Sequence, residues 1–178
     1  MSRTALVVID MINPYDHADA DRLVPSVRDA LPAMLELIGR ARDAGAPVVY
    51  VNDNFGSWRS DQADLVRSAL SGRHPELVEA IRPAEEALFV VKARHSVFFQ
   101  TPLEYLLSQE GVDRLVLVGQ VTEQCILYSA LDAHIRHLDV CVPSDAVAHI
   151  HPDLADAALR MMTLNMGAEV CPAEKVTF

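Results

Sequence analysis

The stretch Asp113–Ala130, DRLVLVGQVTEQCILYSA, constrains the fold more than any other, because its apolar pattern changes period partway through. Leu115 to Val118 is a continuous β-prone run bounded by a charged pair and by Gly119, too short for a helix, and it reads as a buried parallel strand. Beyond Gly119, Ile126, Leu127, Ala130, Leu131 and Ile135 recur at helical spacing, with Thr122 as N-cap and Glu123 as an acid in the first turn. A strand that turns sharply into a helix is the opening of a βαβ unit.

Cys125 falls in the first turn of that helix. Free N–H groups and the positive end of the helix dipole favour a thiolate there, and a lowered thiol pKa is what makes a cysteine nucleophilic at neutral pH. Thr122 and Cys125 also occupy the positions that Ser/Thr and Glu/Gln take in a capping box, so a reactive group stands where a structural one usually does. The competing reading is a small apolar residue packed between helix and sheet, which is what most free cysteines are.

The rest of the chain repeats the strand–helix alternation. Thr4 to Ile9 is a first strand ending in Asp10, Val24 to Ala44 a helix closed by Gly45, and Pro47 to Asn52 a second strand. Gln62–Leu70 and Glu76–Ile81 read as short helices, and Leu88 to Val91 as a third strand followed by Lys92. Thr101, Pro102 and Glu104 form a capping box that opens a helix to Gln109. The helix from Thr122 runs to about His137, Asp139–Pro143 is a fifth strand, Asp153–Asn165 a helix and Ala168–Cys171 a sixth strand. The expectation is an α/β fold: a three-layer α/β/α sandwich around a doubly wound, mainly parallel six-stranded sheet of Rossmann-like type, with residues 1–178 as one domain. A chain of this length buries roughly 70% of the surface its unfolded form exposes.

Composition narrows the function. A net charge of −10 with no basic stripe repels a phosphate backbone, so no nucleic-acid partner is expected. No apolar run approaches the ~20 residues that span a bilayer and no signal peptide is visible, so the expectation is a cytoplasmic protein with no membrane partner. The three cysteines are an odd number without CxxC spacing, which argues against a disulfide framework or a thiolate zinc site; Cys141 and Cys171 read as core residues in strands. The first βα turn lacks the G-x-G-x-x-G fingerprint and no Walker-type loop is present, so no NAD, FAD, ATP or other cofactor is expected. His134 with His137, and His149 with His151, have no acidic or thiol partners beside them and read as solvated or capping residues.

Three strand ends carry reactive groups: Asp10 after the first, Lys92 after the third and Cys125 beyond the fourth. Parallel strands share one carboxyl edge, where open α/β sheets bind ligands, so the three groups face one side. Taken singly, Asp10 also suits a loop cap and Lys92 a snorkelling surface residue; beside Asp10, Lys92 would instead neutralise the carboxylate and support a thiolate. The loop Asp53–Asp61 brings Trp58 and Arg59 to the same edge, as the wall of a pocket with a carboxylate clamp or as a subunit contact.

With those residues in place, nearly the whole chain resembles the isochorismatase-like cysteine hydrolase superfamily, which includes nicotinamidases, N-carbamoylsarcosine amidases, ureidoacrylate and biuret hydrolases and isochorismatase. VVIDMINPY resembles the family's D-M-Q-N-D-F opening, VVKARHSVFFQTPLEYLL its K-x-x-x-S-x-F-x-x-T-x-L segment, and LVLVGQVTEQCILYSALDA with VPSDAVA its G-x-x-T-x-x-C and D-A-V/A segments. The resemblance implies a catalytic triad of Asp10, Lys92 and Cys125, a cis Gln120–Val121 peptide, and an oxyanion hole from the N–H groups of Val121 and Cys125. It also suggests Tyr15, Phe55, Trp58, Arg59 and Phe98 as substrate-binding residues and a homo-oligomer, dimer or tetramer. The implied chemistry is metal-independent hydrolysis of a C–N bond in a small-molecule amide or ureide through a Cys125 thioester, or else isochorismatase-type vinyl-ether hydrolysis or a non-catalytic binding role. Where nicotinamidases place a metal-binding Asp-x-His, this chain reads Asp53, Asn54, Phe55, so no metal is expected and nicotinamide is not the expected substrate. Ile12 and Pro14 also replace the family's glutamine and second aspartate, which changes the pocket floor.

Overall fold

The computed structural model describes residues 3–178. Strand β1 (Thr4–Ile9) is buried along its whole length, and its side chains alternate between two cores. Leu6 and Val8 enter one cluster, and Ala5, Val7 and Ile9 the other. Strand β4 (Arg114–Gln120) divides the same way, Val116 and Val118 against Leu115 and Leu117. This is why both strands read as unbroken apolar runs: each face of the sheet is covered.

The first face is covered by α1 (Ala20–Asp43), α2 (Gln62–Leu70) and α3 (Pro75–Ile81), whose buried residues include Leu37, Leu65 and Ile81. The second is covered by α4 (Leu103–Gln109), α5 (Leu127–Ile135) and α6 (Pro152–Met166), through Leu107, Ala133 and Met162. The remaining strands are β2 (Val48–Asp53), β3 (Leu88–Lys92), β5 (Asp139–Pro143), β6 (Val147–Ala148) and β7 (Glu169–Cys171). The order is β3-β2-β1-β4-β5-β7, every pairing is parallel, and the result is the expected three-layer, doubly wound α/β sandwich.

The sheet has seven strands rather than six, because β6 pairs with the carboxyl half of β4 at Gly119 and Gln120 while β5 pairs with its amino half. Two residues are too few to show a strand period. The strand order reverses between β1 and β4, which opens a crevice beyond Ile9 and Gly119, the pair that ends their shared register. Gly119 is obligatory there: its φ is +115°, and a Cβ would lie 2.2 Å from the Ile9 carbonyl oxygen.

Among the described residues, no helix is long and apolar enough to cross a membrane.

Candidate active site

Asp10 leaves β1 at the switch point with φ at 56°, a left-handed conformation that aspartate tolerates better than most residues. Its amide donates to the Val51 carbonyl and its carbonyl accepts the Gln120 side-chain amide at 2.6 Å, so the backbone is held from both neighbouring strands. On the preceding side of the crevice, Asn52 bonds the Ile12 amide and carbonyl together and pins the loop after β1 to β2.

The Asp10 carboxylate is held at both oxygens. Oδ1 accepts the Asp53 amide at 2.7 Å, and Oδ2 lies 2.9 Å from Lys92 Nζ. Lys92 ends the edge strand β3, yet it is only 2% exposed, because its side chain runs inward beneath the crevice. Its ammonium also reaches Asp53 Oδ2 at 3.5 Å and Cys125 Sγ at 3.6 Å. An ammonium has three donors, and here three acceptors surround it.

The segment carrying Cys125 differs from the expected capped helix. The Gln120–Val121 peptide is cis, and a π-helical turn, Thr122–Ile126, precedes α5. Thr122 does not cap: its hydroxyl donates to the Ala148 carbonyl. Glu123 Oε1 accepts the amides of Ile150 and His151. Thr122 is drawn to β6 and Glu123 to the segment after it, tertiary partners that local sequence does not reveal. The Val121 carbonyl accepts the amides of Gln124 and Ile126, so the Cys125 amide lies between two donors that share one acceptor. The Thr101–Glu104 capping box is absent for a similar reason. Thr101 Oγ1 donates to the Val97 carbonyl and accepts the Leu103 amide, while Glu104 pairs with Arg136.

The electrostatics also correct the expectation of a lowered thiol pKa. Burial pushes the Cys125 thiol up, the adjacent Asp10 carboxylate pushes it further, and Lys92 offsets this only in part. Both effects favour the thiol over the thiolate in the resting site. Burial also raises Asp10 above the usual carboxylate range, against the pull of Lys92. For Lys92, burial works against the charge, but Asp10, Cys125 and Asp53 outweigh it and hold the pKa above that of an ordinary lysine.

Two residues beside Asp10, Lys92 and Cys125 were not singled out as site residues by the sequence. Asp53 sits at the carboxyl end of β2 and supplies both an amide to Asp10 and a carboxylate to Lys92. Its position at a strand end was the available signal. His95 Nδ1 lies 3.8 Å from Cys125 Sγ, with its ring tilted against Tyr128 at a centroid separation of 5.5 Å. It lies three residues after Lys92 in an irregular loop, which no periodicity marks.

A cavity of about 520 Å³ opens beside the Asp53–Lys92 pair and is lined in part by Trp58, Arg94, Phe99 and Gln100. Of the expected substrate-binding residues, Trp58 lies on it, while Phe55 and Arg59 are exposed but outside its lining. Tyr15 is fully buried in the core, with its hydroxyl 3.5 Å from Gln120, and so presents no surface to a ligand. Phe98 is buried beneath the Arg136 guanidinium, 4.7 Å from its ring centroid; the adjacent Phe99 faces the cavity instead. A one-residue shift in an irregular loop exchanges which of two phenylalanines is exposed.

Fold and site together define a parallel α/β protein with an aspartate, a lysine and a cysteine converging at the carboxyl edge of its sheet. The isochorismatase domain model matches residues 4–175, and the chain belongs to that family. It is 31% identical to maleamate amidohydrolase of Pseudomonas putida over 88% of this chain and 78% of that protein. The crystal structure of N-carbamoylsarcosine amidase from Thermoplasma acidophilum superposes with a TM-score of 0.76 at 31% identity, covering 99% of each chain. A probable inactive nicotinamidase of Arabidopsis thaliana is also 31% identical, over 93% of this chain and 90% of that one.

Proposed function

We propose that the protein is a cysteine amidohydrolase that cleaves a C–N bond of a small amide or ureide, with Cys125 as nucleophile, Asp10 as general base and acid, and Lys92 as their electrostatic support. The observation that carries this reading is the convergence of three separate strand ends on one ammonium, 2.9 Å from Asp10 and 3.6 Å from Cys125. Maleamate amidohydrolase and N-carbamoylsarcosine amidase, both similar along most of their length, carry amide chemistry in their names.

In this mechanism Asp10 takes the thiol proton as Cys125 attacks the carbonyl carbon, so charge separates only when substrate is present. A carboxyl held above its usual range beside an ammonium accepts that proton readily. The oxyanion would be met by the N–H groups of Val121 and Cys125. Asp10 then protonates the leaving nitrogen, and the C–N bond breaks to leave a thioester. Water, deprotonated by Asp10, hydrolyses the thioester and restores the thiol. Lys92 stays protonated throughout and offsets the negative charge that passes between Asp10 and Cys125. The mechanism needs no metal: Asp53, the carboxylate nearest the triad, faces the Lys92 ammonium, which opposes a second cation there.

The test is steady-state turnover of small amides and ureides, maleamate and N-carbamoylsarcosine among them, by wild type and by Cys125→Ala and Asp10→Asn. Both variants should lose at least a thousandfold in kcat while keeping the fold. Full activity in Cys125→Ala excludes the nucleophile, and turnover of vinyl ethers alone points to the isochorismatase-type reaction. Silence toward all substrates favours the binding role, for which the resemblance to the Arabidopsis probable inactive nicotinamidase speaks.

A further inference from the structure

At the other end of the sheet, β5 and β7 bring together residues that lie far apart in sequence. Cys141 is registered opposite Glu169, and Pro143 opposite Cys171, so Cys141, Glu169 and Cys171 all project from one face of this pair of strands. The two sulfurs are 3.9 Å apart, and the donor atoms of all three residues lie within 4.8 Å of one another. CxxC spacing is not needed when two parallel strands supply the proximity.

We propose that Cys141, Cys171 and Glu169 bind one thiophilic divalent metal ion, of which zinc is the type, with water in the fourth position. Two sulfurs each about 2.3 Å from a tetrahedral zinc are separated by about 3.8 Å, close to the spacing already present in the metal-free site. A disulfide, by contrast, requires the sulfurs to close to about 2.05 Å. Soft thiolates select zinc-class ions over magnesium or calcium, and a carboxylate completes many such sets.

The surrounding charge suits this set. Two thiolates, one carboxylate and a divalent ion sum to −1, and the Arg114 guanidinium, 3.0 Å from Glu169 Oε2, brings the cluster to neutrality. Arg114 is fixed by a second bond to the Thr177 carbonyl, and its contact with Glu169 leaves the other carboxylate oxygen for the metal. A cysteine ligates a metal as its thiolate, so each of the two must give up its proton. Binding therefore exchanges two thiol protons, released to solvent, for two metal–sulfur bonds.

Cys141 pairs with Val116 and follows Asp139, which pairs with Arg114, so the cluster lies toward the amino half of β4, away from Gln120 and the triad. The metal would clamp the edge strand β7, which among the described residues pairs with β5 alone, to its neighbour.

Cobalt(II) titration of the fully reduced protein tests this. One equivalent should produce a sulfur-to-cobalt charge-transfer band that zinc bleaches, and zinc should raise the Tm by several degrees. Cys171→Ser and Glu169→Gln, at half-buried and exposed positions, should each weaken binding at least tenfold, while Cys125→Ala should leave the band unchanged. Absence of the band, a band of equal strength in Cys171→Ser, or loss of the band in Cys125→Ala overturns the proposal. So does a reduced protein that binds no metal yet forms a Cys141–Cys171 disulfide with a peroxide as two-electron oxidant.

Discussion

Lys92 Nζ lies 2.9 Å from Asp10 Oδ2, with the lysine side chain wholly buried and the carboxylate nearly so. Breaking such a pair leaves a buried charge without its counter-ion, and the typical loss is about 3–5 kcal/mol. Lys92→Met should therefore destabilise the protein by roughly that amount at neutral pH. The penalty should shrink as pH falls, because without the ammonium the Asp10 pKa rises further and its carboxyl neutralises at a higher pH. Denaturant unfolding of both proteins across acid pH checks this; a constant difference contradicts it.

The thiol of Cys125 should titrate well above an ordinary cysteine, since burial and Asp10 together outweigh Lys92. A raised thiol pKa means that its contribution to stability is present below the unfolded thiol pKa and is lost as pH rises through the folded one. Alkylation of Cys125 in the resting enzyme should accordingly be slow at neutral pH and accelerate into the alkaline range. Asp10→Asn should lower the thiol pKa, read from thiolate ultraviolet absorbance, even as it abolishes turnover. A near-neutral thiol pKa in wild type, or a higher one in the variant, contradicts this arrangement.

Gly119→Ala should cost roughly 3 kcal/mol or more and yield poorly folded protein. The added Cβ would meet the Ile9 carbonyl oxygen at 2.2 Å, and neither backbone can move without parting β1 from β4. A variant with wild-type stability in denaturant melts contradicts the register.

His95 is exposed and its Nδ1 lies 3.8 Å from Cys125 Sγ, whereas Asp10 and Lys92 are buried. Its replacement by phenylalanine, which keeps the ring against Tyr128, should lower kcat/KM by about 10-fold, less than a positioned general acid or base supplies. Stability should be unchanged. An unchanged kcat/KM removes His95 from the site.

The polar residues that meet at the sheet edge and most of the framework were legible in the sequence because each rests on a strong local signal. The apolar runs of β1 and β4 announce strands covered on both faces, and Asp10 and Lys92 are polar groups placed directly at the ends of such runs. What was illegible depends on tertiary partners. Thr122 and Glu123 look like a helix start but serve β6 and the segment after it. The thiol pKa follows from burial and from the nearness of Asp10, more than a hundred residues away in the chain, rather than from the helix terminus. Tyr15 and Phe98 show that aromatic residues in irregular loops give no sign of which way they face.

The most direct test of the central claim is rapid-quench intact-mass spectrometry of the protein mixed with a panel of small amides and ureides. The account predicts a transient acyl adduct that maps to Cys125, disappears at the rate of turnover and is absent in Cys125→Ala. Turnover of any amide with no adduct, and with activity retained in Cys125→Ala, would contradict it.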